Sequence, residues 1–199
     1  MKILALELST ARGSLAWLDG EVEFAREWPN DRKNSGPFFE NLQNVRRNFG
    51  VPETIVVGLG PGSYAGTRIA ISAAIGVQVS GNANLIGYPS ICAMESDAQE
   101  YYVLGDARRE SFFFARVFRN ELPEAPVLFS GPALKAKLGS LGATMAVFSS
   151  ELLPQFDRAV IHYPSALVLA RLAHEPRCHF SSPPLEPLYL REPHITISQ

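Results

Sequence analysis

The stretch Gly58-Leu59-Gly60-Pro61-Gly62-Ser63-Tyr64-Ala65-Gly66-Thr67-Arg68 separates two apolar segments of different period. Before it, Thr54 to Gly58 is short, continuous and β-branched, as a strand buried on both faces should be. After it, Thr67 to Ser80 is long, rich in alanine and apolar around most of its circumference. That pattern predicts a helix buried over much of its surface, with Gly81 as its C-cap. Strand, glycine-rich turn and helix together read as an α/β fold. Glycines let a turn approach a partner closely, and a helix N-terminus offers unpaired N–H groups to an anion. Gly60, Gly62 and Ser63 are therefore candidates for a phosphate cradle. No Lys-Ser or Lys-Thr follows the last glycine, so this is not a Walker A loop, nor is it the dinucleotide fingerprint. The alternative is a tight turn shaped by packing.

Upstream, Ile3 to Leu8 and Ser14 to Leu18 are apolar runs, and Asp19-Gly20 is a strong hairpin signal. Glu21 to Trp28 alternates, with Val22, Phe24 and Trp28 on one side, so the chain opens with a three-stranded meander. Gly36-Pro37 starts a helix whose Phe38, Leu42, Val45 and Phe49 form one apolar stripe, ended by Gly50. Downstream, Leu85 to Tyr88 reads as a short strand and Pro89 to Gln99 as a short helix. Tyr101 to Arg119 reads as a second hairpin. Gly131 to Leu141 is helical, Thr144 to Phe148 and Ala159 to Tyr163 are strands, and Ser165 to His174 is a helix with Ser165 as N-cap. Pro176 to Pro193 holds five prolines and must be irregular. The strand-hairpin opening recurs at residue 101, so the reading places two halves at 1–100 and 101–199.

Glu7 and Ser9, at the end of the first strand, are candidates for ordering a metal–nucleotide complex; Gly13 is the one glycine near that turn. Asp106-Ala107-Arg108-Arg109-Glu110 is a charged hairpin tip able to meet an anion. His174, Cys178 and His179 lie close together, but their spacing fits no closed four-ligand metal site, and His162 and His194 stand alone. Ser63 is not in a nucleophile elbow. A net charge of −2 argues against a dedicated duplex-binding protein, although 14 of the 18 basic residues are arginine. Two cysteines fit a reducing compartment, and neither a signal peptide nor a membrane span is expected. The expectation is a cytoplasmic protein.

The segments "ALELST", "GLGPGSYAGTRIAISAAIG", "YPSICAM", "GDARRESFFFARVF" and "PLYLR" occur in that order. Together they resemble the TsaB (YeaZ) family of tRNA threonylcarbamoyladenosine biosynthesis proteins over nearly the whole chain. The resemblance implies an actin-like ATPase (ribonuclease H-like) fold of two small α/β halves, the second reduced. It implies a non-catalytic partner of a TsaD-like transferase paralogue, joined by a TsaE-like ATPase. The complex places threonylcarbamoyl on the adenosine beside the tRNA anticodon. Any ATP or ADP would sit at the complex interface, tRNA would be met only through the complex, and alone the chain would form a homodimer. The family's usual Asp-Thr-Ser is Glu7-Leu8-Ser9 here, its His-containing stretch is Lys33-Asn34-Ser35-Gly36, and Ile75 replaces a common lysine. No His-x-x-x-His pair supports a peptidase.

The two helices of the first half carry more apolar surface than a sheet face can cover, which marks a partner site. Phe38, Leu42, Arg46, Arg68, Ile71 and Ile75 are the expected interface residues, and Ile71→Asp is expected to break pairing while keeping the fold. The competing readings are a small ATPase or phosphotransferase built on Glu7, Ser9 and the glycine loop, and a tRNA-binding module using Arg46, Arg47, Arg108 and Arg109.

Overall fold

The computed structural model describes residues 1–20, 22–31 and 34–190; Glu21, Lys33, Arg191, Pro193 and His194 lie outside them. The expected meander is present. β1 (Ile3–Glu7), β2 (Arg12–Asp19) and β3 (Val22–Pro29) pair antiparallel, with Asp19 opposite Val22 across the hairpin turn. β4 (Thr54–Gly58) and β5 (Asn84–Tyr88) continue the sheet parallel to β1, giving the order β3-β2-β1-β4-β5. α1 (Gly36–Phe49) leads into β4, and α2 (Tyr64–Gly81) crosses from β4 to β5. Both helices cover one face of this sheet. Phe38, Leu42 and Val45 of α1 and Ala70, Ile71, Ala74 and Val77 of α2 share a core with Leu4, Leu6, Trp17, Ile55 and Val57.

The second sheet repeats this plan. β6 (Glu100–Asp106), β7 (Ser111–Phe118) and β8 (Val127–Ser130) form an antiparallel meander. β9 (Ala146–Ser149) runs parallel to β6, and β10 (Val160–Ile161) parallel to β9. Its order, β8-β7-β6-β9-β10, matches that of the first sheet strand for strand. α3 (Gly131–Gly139) stands where α1 stands, but no helix joins β9 to β10, which is how the second half is reduced. Two such sheets in succession make the ribonuclease H-like, actin-like arrangement.

α4 (Ala166–Leu172) comes late in the chain yet packs on β1, β2 and β4, the face of the first sheet opposite α1 and α2. Its Ala166, Leu169 and Ala170 join Ile3, Ala5, Ala16 and Val56 from the first sheet and Val103, Phe113 and Val117 from the second in one core. Its N-terminus is not capped by the Ser165 side chain, as the sequence suggests. The Ser14 hydroxyl of β2 accepts the Ala166 N–H instead (2.9 Å), wholly buried, and so ties the helix to the sheet.

Two further local expectations are corrected, and one strand is new. The helix read over Pro89 to Gln99 is a single 3-10 turn, Ser90–Ala93, because Met94 turns extended and bridges to Pro164. β8 falls between the second hairpin and the helix at Gly131, where no strand was expected. Gly81 is the last residue of α2 and not its cap: Asn82 takes the left-handed conformation (φ 53°), while Val51 fills the space beside Gly81.

Candidate functional site

β1 and β4 end side by side, so the turns that follow them, Leu8 to Ala11 and Leu59 to Ser63, must meet. Their backbones touch. The Ser63 N–H donates to the Ser9 carbonyl at 2.6 Å, and a Cβ on Gly62 would lie 2.2 Å from that same oxygen. The facing hairpin tip of the second half and a strap at Pro187–Leu190 close a cleft of about 310 Å³ around these turns. Ser9, Thr10, Gly62, Ser63 and Thr67 line one wall; Asp106, Arg108 and Glu151 line the other. The structure thus brings together most of the residues singled out as candidate phosphate ligands.

Glu7 lies beneath the cleft, completely buried. Its Oε1 accepts the Ser9 N–H (2.6 Å), while Oε2 fills the space beside Gly58 without a hydrogen-bond partner. Burial raises its pKa above the ordinary carboxylate value; the Ser9 and Ser90 hydroxyls and the Ser9 N–H act the other way and do not cancel it. A carboxyl held towards its neutral form and screened from the cleft is poorly suited to ordering a hydrated magnesium ion. Three amides in and just after the loop are also engaged. Leu59 N–H donates to Tyr88 O, Gly60 N–H to Ser90 Oγ, and Gly66 N–H to Ser63 Oγ. These bonds go inward, which leaves fewer amides of the loop to meet an anion. Ser90, which also returns its own N–H to Gly60 O, is the structural residue that sequence reading missed here, though it stands inside the quoted YPSICAM segment.

A proton is held more tightly on Glu7 in the folded chain than in the unfolded one. Its contribution to stability is therefore complete below the unfolded carboxyl's range, falls as pH rises through the folded value, and stays lost above it. Glu7→Gln cannot titrate. Its melting temperature is expected to gain on the parent's as pH rises from about 4 to about 8. Equal pH profiles for the two proteins would show that Glu7 is not the group responsible.

The other candidates separate. Phe38, Leu42 and Ile71, expected at an interface, are buried in the chain's own core, with Leu42 also at the floor of a shallow groove on α1. Each lies on the helix side that faces the sheet. Arg46, Arg68 and Ile75 are exposed as expected. Arg46 Nη2 donates to Ser80 Oγ (3.2 Å), linking the two helices side by side. Arg68 lies over the Tyr64 ring and donates to its hydroxyl (3.1 Å). The outward side carries apolar residues the sequence reading did not name: Phe39 at 49% exposure and Val79 at 81%, beside Ile75 at 45%. Phe39 stands one position off the apolar stripe of α1, a detectable signal.

At the hairpin tip, Arg108, Arg109 and Glu110 are successive left-handed residues (φ 66°, 53° and 58°), and Asp106 Oδ1 accepts the Arg108 N–H at 2.7 Å. Among the described residues no three His, Cys, Asp or Glu side chains converge on a metal-sized site. His179 contacts Glu121 (3.0 Å), His162 contacts the Glu95 carbonyl (2.9 Å), and Cys92 and Cys178 are both free and buried. No described helix is long and apolar enough to cross a membrane.

No protein-family model matches the chain, and no curated protein matches it. Solved structures do. An uncharacterized protein with similarity to peptidase YeaZ from Pseudomonas aeruginosa superposes with a TM-score of 0.73 at 21% identity, over 96% of this chain and 99% of its own. YeaZ from Pseudomonas aeruginosa gives 0.71 at 18% identity, over 95% and 99%. The fold is that of YeaZ. Because the match is nearly complete in both directions, the reduced second half is part of the YeaZ fold.

Proposed function

We propose that this chain is a non-catalytic scaffold and activator subunit of the complex that transfers threonylcarbamoyl to the adenosine next to the tRNA anticodon. It pairs with a TsaD-like transferase and is joined by a TsaE-like ATPase. The observation that carries this reading is the outer face of α1 and α2. Arg68, Ser72, Ile75 and Val79 follow one another at i, i+4, i+7 and i+11 along the exposed side of α2, and Phe39 and Gln43 are exposed on α1. The sheet is already covered by the opposite sides of the same helices, so this surface has no use inside the chain. The glycine loop supports the same reading, because the Ser63 N–H is spent on the Ser9 carbonyl and the Gly60 N–H on the Ser90 hydroxyl. The YeaZ fold supports it further.

The test is light scattering on a sizing column, with the chain alone and mixed with the same organism's transferase paralogue. A one-to-one heterodimer that replaces a homodimer is expected. No complex at micromolar concentration, with or without nucleotide, overturns the reading, as does unchanged threonylcarbamoyladenosine in tRNA after deletion. Val79→Asp is expected to weaken pairing at least about tenfold, because a charge in an interface core lacks a partner. With Val79 at 81% exposure, the melting temperature of the free chain should not move.

A further inference from the structure

We infer that the cleft between the two halves is a binding site for a small organic cation, an amine carried on an apolar body. Its volume of about 310 Å³ falls within the range of pockets that take small molecules, about 300–1,000 Å³. The strap across it is fixed in place. Leu188 N–H donates to Leu59 O (2.8 Å), and the Tyr189 ring lies against Tyr64 with centroids 5.8 Å apart. Leu59, Ile91, Val103 and Phe113 give the cleft an apolar lining. Such a lining receives an apolar ligand body, and a few polar groups orient it.

The charged groups of the lining favour one sign. Among the described residues they are Asp106, Glu151 and Arg108, two carboxylates against one guanidinium. Arg108 Nη1 stands 3.3 Å from Asp106 Oδ2, so its charge is answered within the hairpin tip. Glu151 takes part in no ion pair among the described residues. Its Oε1 accepts the Asp106 N–H, which holds both carboxylates on one wall. On the other wall the Ser9 hydroxyl oxygen is buried, at 2% exposure, without a hydrogen-bond partner. A buried polar atom left unpaired is costly, and a donor from a ligand would relieve it. An ammonium group offers three donors and no acceptor, which suits carboxylate and hydroxyl oxygens. Aromatic rings carry negative faces, so Tyr64 and Tyr189 in the same lining favour a cation too. The start of α2 favours an anion, but its Gly66 and Thr67 amides are already bonded to Ser63. An anion in the cleft would also meet the carboxylate of Glu151.

Probes of similar shape and different charge test this: phenethylamine, phenethyl alcohol and hydrocinnamate. Each is titrated at neutral pH into the isotope-labelled full chain. Amide shifts at Gly62, Ser63 and Gly105 locate the binding, and calorimetry gives the affinity. The amine is expected to bind at least about tenfold more tightly than the alcohol, with hydrocinnamate the weakest. Glu151→Gln keeps an oxygen for the Asp106 N–H, and because Glu151 is exposed its melting temperature should match the wild type's. In that variant the amine should fall to the affinity of the alcohol. The wild-type series stands without the variant. Hydrocinnamate binding as well as the amine, equal affinities for all three probes, or shifts confined to residues outside the cleft overturn the inference. So does an amine affinity unmoved in folded Glu151→Gln, or no binding of the amine at about 10 mM. None of these outcomes bears on whether the chain pairs with a transferase, so the two readings fail separately.

Discussion

Ile71→Asp is expected to unfold the chain, whereas the same charge at Val79 leaves it folded. Ile71 is 6% exposed and packs in the core between α2 and the first sheet. Aspartate there loses the packing of a large aliphatic group and brings a carboxylate where no described cation waits. Together these are expected to remove about 4 kcal/mol or more. A domain of this kind holds about 5–15 kcal/mol in total, so the loss approaches the whole. Thermal unfolding by circular dichroism reads it directly. A folded Ile71→Asp monomer that has only lost its partner would place Ile71 at the interface and contradict the packing described above.

The second large effect concerns two glycines of one helix. In an exposed helix interior, Gly→Ala stabilises by up to about 1 kcal/mol. At Gly76 an added Cβ meets nothing within 4 Å, so Gly76→Ala should show that gain. At Gly66 the Cβ would stand 2.1 Å from the Leu8 carbonyl oxygen, a backbone atom tied to the end of β1. Neither backbone can yield without parting the two turns that Ser63 and Ser9 hold together. Gly66→Ala is therefore expected to destabilise by about 3 kcal/mol, against its helix propensity. Denaturant midpoints of the two variants should move in opposite directions. Equal shifts would show that α2 starts further from β1 than the hydrogen bond at Ser63 indicates.

Much of the fold was legible because strong local signals agreed with the tertiary result. Asp19-Gly20 marks the first hairpin, the Phe38 stripe marks α1, and the β-branched run at Thr54 marks β4. What sequence could not supply was which side of α2 turns inward. Ile71, Ile75, Val77 and Val79 are all apolar, and only the sheet decides that the first and third are buried and the others exposed. Three of the six expected interface residues, Phe38, Leu42 and Ile71, are buried for that reason: the most apolar stripe of a helix faces its own core first. Ser9, Gly62 and Ser63 were brought together as their order around the turns implied. That the neighbouring Gly60 N–H turns inward to the Ser90 hydroxyl depends on a partner thirty residues away, which no local pattern reveals.

The position of α4 bears on how the chain leaves the ribosome. The first sheet is complete once Tyr88 has been made, but the helix over its second face ends only at Leu172. Through all the intervening synthesis, Ile3, Ala5, Ala16 and Val56 present an apolar surface with no permanent cover from α4. The emerging second hairpin, with Val103, Phe113 and Val117, reaches that core before α4 does and is its first available shelter. The nascent half-molecule is thus a natural client for chaperones, and the two halves are obliged to mature as one unit.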